Sequence, residues 1–145
     1  MSASSGSGVG AFRALLVAAG ESLCAIPVDQ VRRVVRALPV HPLPGASGQL
    51  LGLAAFTGEP IPVLDLGRLL DAPPGGRPAA PVTVLAWTGS AGSRELVGLA
   101  ADAALEIVEI ASGEVVSPGT GLLFGEATVA GRTVRLMNLE MLGAR

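Results

Sequence analysis

The sequence predicts an all-β fold: two small five-stranded barrels, related by internal duplication, that share one hydrophobic core and carry short helical turns. Three observations point there. The chain repeats itself at an offset of 73 residues, so Gly58, Ile61, Asp65, Leu66 and Leu69 recur as Gly131, Val134, Asn138, Leu139 and Leu142. Its apolar residues come in short runs broken by turn residues at roughly 8–12-residue spacing, the rhythm of small sandwiches and barrels. Between the copies, residues 71–81 hold four Pro and two Gly. Neither helix nor sheet tolerates such a segment, so it reads as a linker.

The repeat extends upstream of its strongest stretch. Gly48, Leu50, Gly52 and Ala54 recur as Gly121, Leu123, Gly125 and Ala127. They fall at every second position, the period of a strand. Seven of the 28 positions from 45 to 72 are identical to their partners, too few to carry the argument alone. The alignment gains weight because it runs without a gap from residue 25, pairing Val34-Val35 with Ile107-Val108.

In the first half, 12–18 reads as a strand, Gly20-Glu21 as its turn and 22–26 as the return strand. Asp29 is placed to cap one short helical turn. Residues 31–37 run extended into Pro39, and 49–56 pairs with 60–64 across Thr57-Gly58-Glu59. Pro60 and Pro62 lie two apart, so their missing N–H groups must face an edge without a partner. Residues 66–70 close the half as a short helix. The second half repeats the pattern with strands at 82–88, 94–99, 104–110, 122–129 and 132–137, then a closing helix at 139–142. The segment from Asp102 to Leu105 is open between strand and helical turn, since Ala favours helix. Each half is small for a stable core of its own. The expected organisation is a flexible tail at 1–10 and one folding unit at 11–143, made of barrel 1 (about 11–70), linker 71–81 and barrel 2 (about 82–143).

Composition narrows the function. Half of the residues are hydrophobic and mean hydropathy is +0.58, which favours a folded chain. Gly, Pro and charges interrupt every apolar run before it reaches the roughly 18 residues that cross a bilayer. The Ser/Gly-rich start lacks the basic and apolar regions of a secretory signal. A cytoplasmic protein without membrane insertion is the simple inference. Ten Arg against twelve acids give a net charge of −2, and only Arg32, Arg33 and Arg36 cluster, so nucleic acid is not an expected partner.

The chemistry-bearing residues are few. The chain has no Lys, hence no P-loop lysine and no Schiff base. One His (His41) and one Cys (Cys24) cannot build a usual zinc site. Cys24 lies in the apolar run Leu23-Cys24-Ala25-Ile26 and reads as a buried structural thiol. His41, locked in a Pro-rich segment, reads as a solvent-facing loop residue. Asp29 and Asp102 are repeat-related and read as turn caps, while Glu106 and Glu109 stand by an apolar strand. Trp87, at a strand end, reads as a core or rim residue. No carboxylate pair or nucleophile–base set suggests catalysis. The expectation is a non-enzymatic protein with no cofactor and no metal.

At this point a resemblance carries further. The stretch 51–66, LGLAAFTGEPIPVLDL, resembles the "-GVINLRGxVVPVVDL-" block of the CheW-like domain family, with Gly52, Gly58, Pro62, Val63, Asp65 and Leu66 in step. Cys24-Ala-Ile-Pro-Val-Asp-Gln-Val-Arg-Arg-Val-Val35 looks like the family's "-ALPIexVrEVL-" segment, and Pro42-Leu-Pro-Gly45 like its "-PVPGAP-" turn. Asn138-Leu-Glu-Met-Leu142 resembles the final "-LDLDKLL". The likeness covers about 12–143. It implies two SH3-like five-stranded barrels sharing a hydrophobic interface. It also implies a scaffold that links the cytoplasmic tip of a methyl-accepting chemoreceptor to the regulatory domain of a CheA-type histidine kinase, and that pairs with other CheW-like domains in arrays. Carried over by position, the interaction residues are Val31, Val34, Leu53, Ala55, Phe56, Thr57 and Gly58.

The sequence departs from the family at one rim. The "-NLRG-" of the block reads Ala55-Phe56-Thr57-Gly58, which removes an amide and a guanidinium. Thr cannot replace the bidentate fork of Arg. The final acid of the second copy is Asn138. Two alternatives therefore stand beside the full adaptor: an accessory member that keeps only the receptor or only the kinase interface, and an unrelated peptide- or ligand-binding barrel.

Overall fold

The structure, a computed structural model, describes residues 10–45, 48–70, 81–89, 94–116 and 121–142. The expected linker 71–81 therefore lies outside the described residues except for Pro81, and the expected tail 1–10 except for Gly10. Ten strands alternate with short helical turns: β1 (Ala11–Ala19), β2 (Ser22–Pro27), β3 (Val31–Arg36), β4 (Leu50–Phe56), β5 (Glu59–Asp65), α1 (Leu66–Leu69), β6 (Val82–Thr88), β7 (Glu95–Ala101), β8 (Ala103–Ala111), β9 (Leu123–Val129) and β10 (Arg132–Met137). Single 3-10 turns stand at Val28–Gln30, Ser112–Glu114 and Leu139–Met141.

The strands form two five-stranded sheets, in the orders β8-β1-β2-β10-β9 and β3-β6-β7-β5-β4. Each sheet takes strands from both halves of the sequence. The expected division into barrel 1 at 11–70 and barrel 2 at 82–143 therefore does not describe the sheets. The hairpin β1–β2 leaves its own half and joins β8, β9 and β10, while β6–β7 joins β3, β4 and β5. Antiparallel ladders join β1 to β8 and β3 to β6, and parallel pairs make the other two joints. Leu136 lies beside Ala25 in one sheet, and Val63 beside Gly98 in the other. These are the same pairing displaced by the repeat offset, so the duplication holds in the register of an exchanged pair.

The hairpins repeat as closely. Ala54 pairs with Ile61 and Gly52 with Val63; Ala127 pairs with Val134 and Gly125 with Leu136. A bulge sits at the same place in both, next to Leu50 and next to Met137. The repeat is not gapless throughout. His41 bridges Leu53 and Val116 bridges Glu126, so the loops before β4 and β9 are offset differently from the strands. These bridges draw each sheet partway round on itself without closing the barrel. Gly52 permits the first bridge: at φ +156°, a Cβ there would lie 2.2 Å from the His41 carbonyl oxygen.

Burial explains the apolar runs. In one layer Ala14, Leu16, Leu23, Ala25, Ile110, Ala127, Val134 and Leu136 fill the inside of the β1-containing sheet. Ala54, Ile61, Val63, Leu85 and Ala100 fill the other. Between the sheets lies a third and larger cluster, in which Leu15, Val17, Cys24 and Ile26 meet Val84, Ala86, Leu99 and Ala101. Leu66, Leu69, Leu70 and Leu139 of the closing turns plug it. Strands β1, β2, β6 and β7 are thus buried on both faces, which is why they read as nearly continuous apolar runs.

Polar groups tie the halves at specific points. The Asp102 carboxylate accepts from the Gly20 backbone N–H at 2.6 Å, bracing the β1–β2 turn. Gln30 donates to Asn138 Oδ1 at 3.1 Å and accepts from the Leu139 N–H at 2.8 Å. Asp65 and Asn138, at repeat-equivalent places, cap their closing turns by accepting from Gly67 and Glu140. Two local expectations are corrected, and one left open is decided. Asp29 does not cap its turn: Pro27 holds the N-cap position without a side-chain bond. The open segment from Asp102 to Leu105 resolves as strand, with β8 beginning directly after Asp102, because β1 offers Ala104 and Ala103 a ladder. The second closing helix is a 3-10 turn. Pro60 and Pro62 fare as expected, since β7 pairs only with Val63–Asp65 and leaves the start of β5 free on that side.

Three outcomes follow for stability. Gly52→Ala is expected to cost on the order of 3 kcal/mol or more, because the backbone it strikes is itself bridged. Gly20→Ala, also at positive φ but with open space around it, should cost only about 1–2 kcal/mol. Urea unfolding of the two variants side by side measures the difference.

The β4–β5 and β9–β10 turns hold positive φ at both central positions: Thr57 (50°) with Gly58 (84°), and Ala130 (50°) with Gly131 (78°). A β-branched residue is strained there, and Asn-Gly is the favoured pair. Thr57→Asn should therefore raise stability by about 1 kcal/mol despite losing the hydroxyl bond to the Phe56 carbonyl. An unchanged or lower unfolding midpoint counts against this strain.

Burial pushes the Cys24 thiol up to about 12, with the Arg135 charge opposing the shift more weakly. The folded state therefore keeps a proton that the unfolded state loses above pH 9.0. Stability from this group is intact below that value and declines as pH rises towards about 12, by up to about 1.4 kcal/mol per unit. Cys24→Ala should flatten the alkaline slope, read as unfolding midpoint against pH.

Candidate protein-interaction site

The seven residues marked by family position fall on two elements. Val31 and Val34 sit on β3; Leu53, Ala55 and Phe56 on β4; Thr57 and Gly58 form the turn into β5. They do not gather in one place. Val31 packs against the core shared by the two sheets, and Val34, 39% exposed, lies opposite Val84 of that same core. Phe56 instead packs on the inner core of its own sheet with Val35, Leu38, Val40 and Leu96. Leu53 and Ala55 point outward from β4, because the alternating residues Gly52 and Ala54 are buried. Thr57 and Gly58 are exposed at the hairpin tip.

A cleft of about 600 Å³ opens beside Phe56 and Thr57. Its far wall comes from the β6–β7 hairpin, through Trp87, Arg94 and Glu95, and Arg32 reaches in from β3. Both guanidinium groups lie over aromatic rings: Arg32 is 5.7 Å from the Phe56 ring centroid and Arg94 is 5.0 Å from that of Trp87. Arg33 approaches Phe56 as well, at 5.8 Å. Arg94 also donates to the Asp29 carbonyl at 3.4 Å. Trp87 and Arg94 in turn line a smaller hollow of about 150 Å³ with Asp29, Gln30 and Glu140. The last three border a third depression of about 480 Å³ beside Phe12 and Phe124. The depressions share lining residues and so run on from one sheet to the other.

Trp87 and Arg94 were not marked by the resemblance. Trp87 was legible only as a core or rim residue, and the structure places it, half-buried, at the rim. The available signal was their placement on either side of one hairpin connection: Trp87 is the last but one residue of β6 and Arg94 immediately precedes β7.

The outer face of the β4–β5 hairpin is apolar. Leu53 pairs with Pro62 and Ala55 with Pro60. At the matching places of the β9–β10 hairpin, Glu126 pairs with Arg135 and Thr128 with Thr133. At each of these four places the apolar residue of one copy is polar or charged in the other, although the two backbones share a register. A face that must only be soluble needs no such substitution. The arrangement can bind by surface complementarity. Among the described residues, no three His, Cys, Asp or Glu side chains come together as metal donors. No helix among them is long and apolar enough to cross a membrane.

Comparison with known structures finds a similar fold in the scaffolding protein TtCheW from Thermoanaerobacter tengcongensis. The TM-score is 0.77 at 18% identity, covering 94% of this chain and 95% of that one. No curated protein matches the sequence. At the level of families, residues 13–144 match the CheW-like domain. With the match spanning both sheets and the closing turns, the chain belongs to the CheW-like domain family.

Proposed function

We propose that this chain is a non-catalytic adaptor of a chemosensory array, linking the cytoplasmic tips of methyl-accepting chemoreceptors to the regulatory domain of a CheA-type histidine kinase. The observation that carries this reading is the family match across residues 13–144. The geometry supports it. The chain offers an outward apolar hairpin face at Leu53, Ala55, Pro60 and Pro62, and a second exposed apolar position at Val34 on β3. Docking on these surfaces needs no cofactor and no nucleic acid, and it fits a cytoplasmic protein that meets other CheW-like domains. Val31, Val34, Leu53, Ala55, Phe56, Thr57 and Gly58 form the proposed contact set.

A second reading is favoured by the hairpin tip. Thr57 turns its hydroxyl back onto the Phe56 carbonyl at 2.6 Å, and Ala55 offers no polar group. The tip thus presents no donor fork to a partner, which suits an accessory member that has given up one interface. Separate pull-downs against receptor tips and kinase regulatory domains from the same source test the adaptor reading: both partners captured supports it, one alone supports the accessory reading, and neither rejects both.

Thr57→Arg, with and without Ala55→Asn, should strengthen binding to the partner that reads this tip. A charge-assisted contact contributes about 1–3 kcal/mol, roughly ten- to a hundred-fold in affinity. Calorimetry against each partner measures it. No gain towards either would show that the tip is not read.

A further inference from the structure

The two copies of the repeat differ most in chemistry at the cleft. Phe56 corresponds to Val129, Arg32 to Leu105 and Arg94 to Glu21. Val84 and Leu15 are equivalent, since they lie opposite Val34 and Ile107, so Trp87 corresponds to Ala18. Both aromatic rings and both cations of the cleft therefore occur in one copy only. A core position shows no such divergence: Ala54 and Ala127, or Leu66 and Leu139, are alike and buried.

The cations are also placed for use. Among the described residues, neither Arg32 nor Arg94 is paired with a carboxylate; each is held over a ring instead. A ring fixes the guanidinium plane while leaving its N–H donors free, apart from the one that Arg94 gives to the Asp29 carbonyl. Glu59 and Glu95 stand on the same cleft wall, exposed. They oppose a densely acidic ligand, so the site suits one carboxylate, not several.

We propose that this cleft is a recognition site for a single acidic side chain of a protein partner, flanked by apolar residues. Arg32 and Arg94 take its carboxylate, and Phe56 and Trp87 take the apolar neighbours. The proposal rests on the adaptor reading for its biological partner, but the cleft's chemistry is testable without one. Trp87 is the only Trp and the chain has no Tyr, so its fluorescence reports the cleft directly.

The probes are the blocked peptides acetyl-Leu-Glu-Leu-amide and acetyl-Leu-Gln-Leu-amide, titrated into the full chain. The acidic peptide should shift Trp87 emission saturably, and less so as salt is raised. The amide peptide should bind about tenfold more weakly or worse. Arg32→Gln and Arg94→Gln should each lower affinity for the acidic peptide by about tenfold, while Arg13→Gln on β1 leaves it unchanged. All three arginines are exposed, so the variants keep the core intact, which equal thermal midpoints verify. Equal responses to the two peptides, no saturable response, or undiminished binding by both cleft variants would overturn the proposal. A peptide response without capture of receptor or kinase would leave the cleft standing and remove the adaptor reading. Capture of a partner equally by wild type and the Arg32→Gln/Arg94→Gln double variant would do the reverse.

Discussion

Two short parallel joints, β2 beside β10 and β7 beside β5, hold the rest of the molecule in place. Each brings a strand from one half of the sequence against a strand from the other. Without them β9–β10 and β4–β5 would be free hairpins, which are marginal alone in water, since β1–β2 and β6–β7 are also laddered to β8 and β3. With them, β1–β2 and β6–β7 become the centres of the two sheets and bury both of their faces. Every other feature depends on this. The shared core exists because β1, β2, β6 and β7 turn their second faces towards one another. The closing turns after β5 and β10 then fall where Leu66 and Leu139 can seal it. The cross-half bonds of Gln30 to Asn138 and Leu139, and of Arg135 to the Leu70 carbonyl at 2.5 Å, lie beside these joints and reinforce them. Neither half forms a barrel of its own in this fold, because neither keeps its own central strands.

The strands, their turns and the duplication were all legible in the sequence, and so was the sharing of one core. The exchange was not, for a physical reason. Ala25 and Gly98 are equivalent, as are Val63 and Leu136. Pairing β2 with β5 inside one half, or with β10 across the halves, therefore satisfies the same local pattern with nearly the same side chains. Repetition identifies equivalent residues but leaves open which copy supplies the partner. The site was legible in part. Phe56 and Thr57 followed from the family block. Trp87 and Arg94 are thirty or more residues further along the chain, on a hairpin that only the exchange carries to the same end of the sheet.

The exchange also explains how two copies of one design could diverge without loss of fold. Inward positions are constrained twice, by the layer inside each sheet and by the core between sheets. There the copies stay alike in size and polarity: Ile61 and Val134, Ala54 and Ala127. Outward positions on the hairpins carry no such constraint, and at every one of four places the first copy is apolar where the second is polar or charged. Burial thus separates the residues that build the fold from those available for recognition, and the duplication makes the separation visible within a single chain.

That divergence gives a pseudo-symmetric molecule a direction. Two equal halves would offer any partner two equivalent sites and two orientations, and an adaptor with interchangeable ends cannot fix the order of what it joins. Here one end carries the apolar hairpin face and the ring-backed arginines, and the other carries Glu126, Arg135 and an acidic edge at Glu106 and Glu109. The edge strands β3 and β8 complete the contrast. Each exposes an apolar residue at the equivalent place, Val34 and Ile107, but Arg33 and Arg36 flank the first where Glu106 and Glu109 flank the second. Apolar contact on either edge would contribute affinity, while the reversed charges decide which surface may approach, since like charges brought together at an interface cost several kcal/mol. Orientation is thus set by side chains the fold does not need, on a backbone whose near symmetry it does.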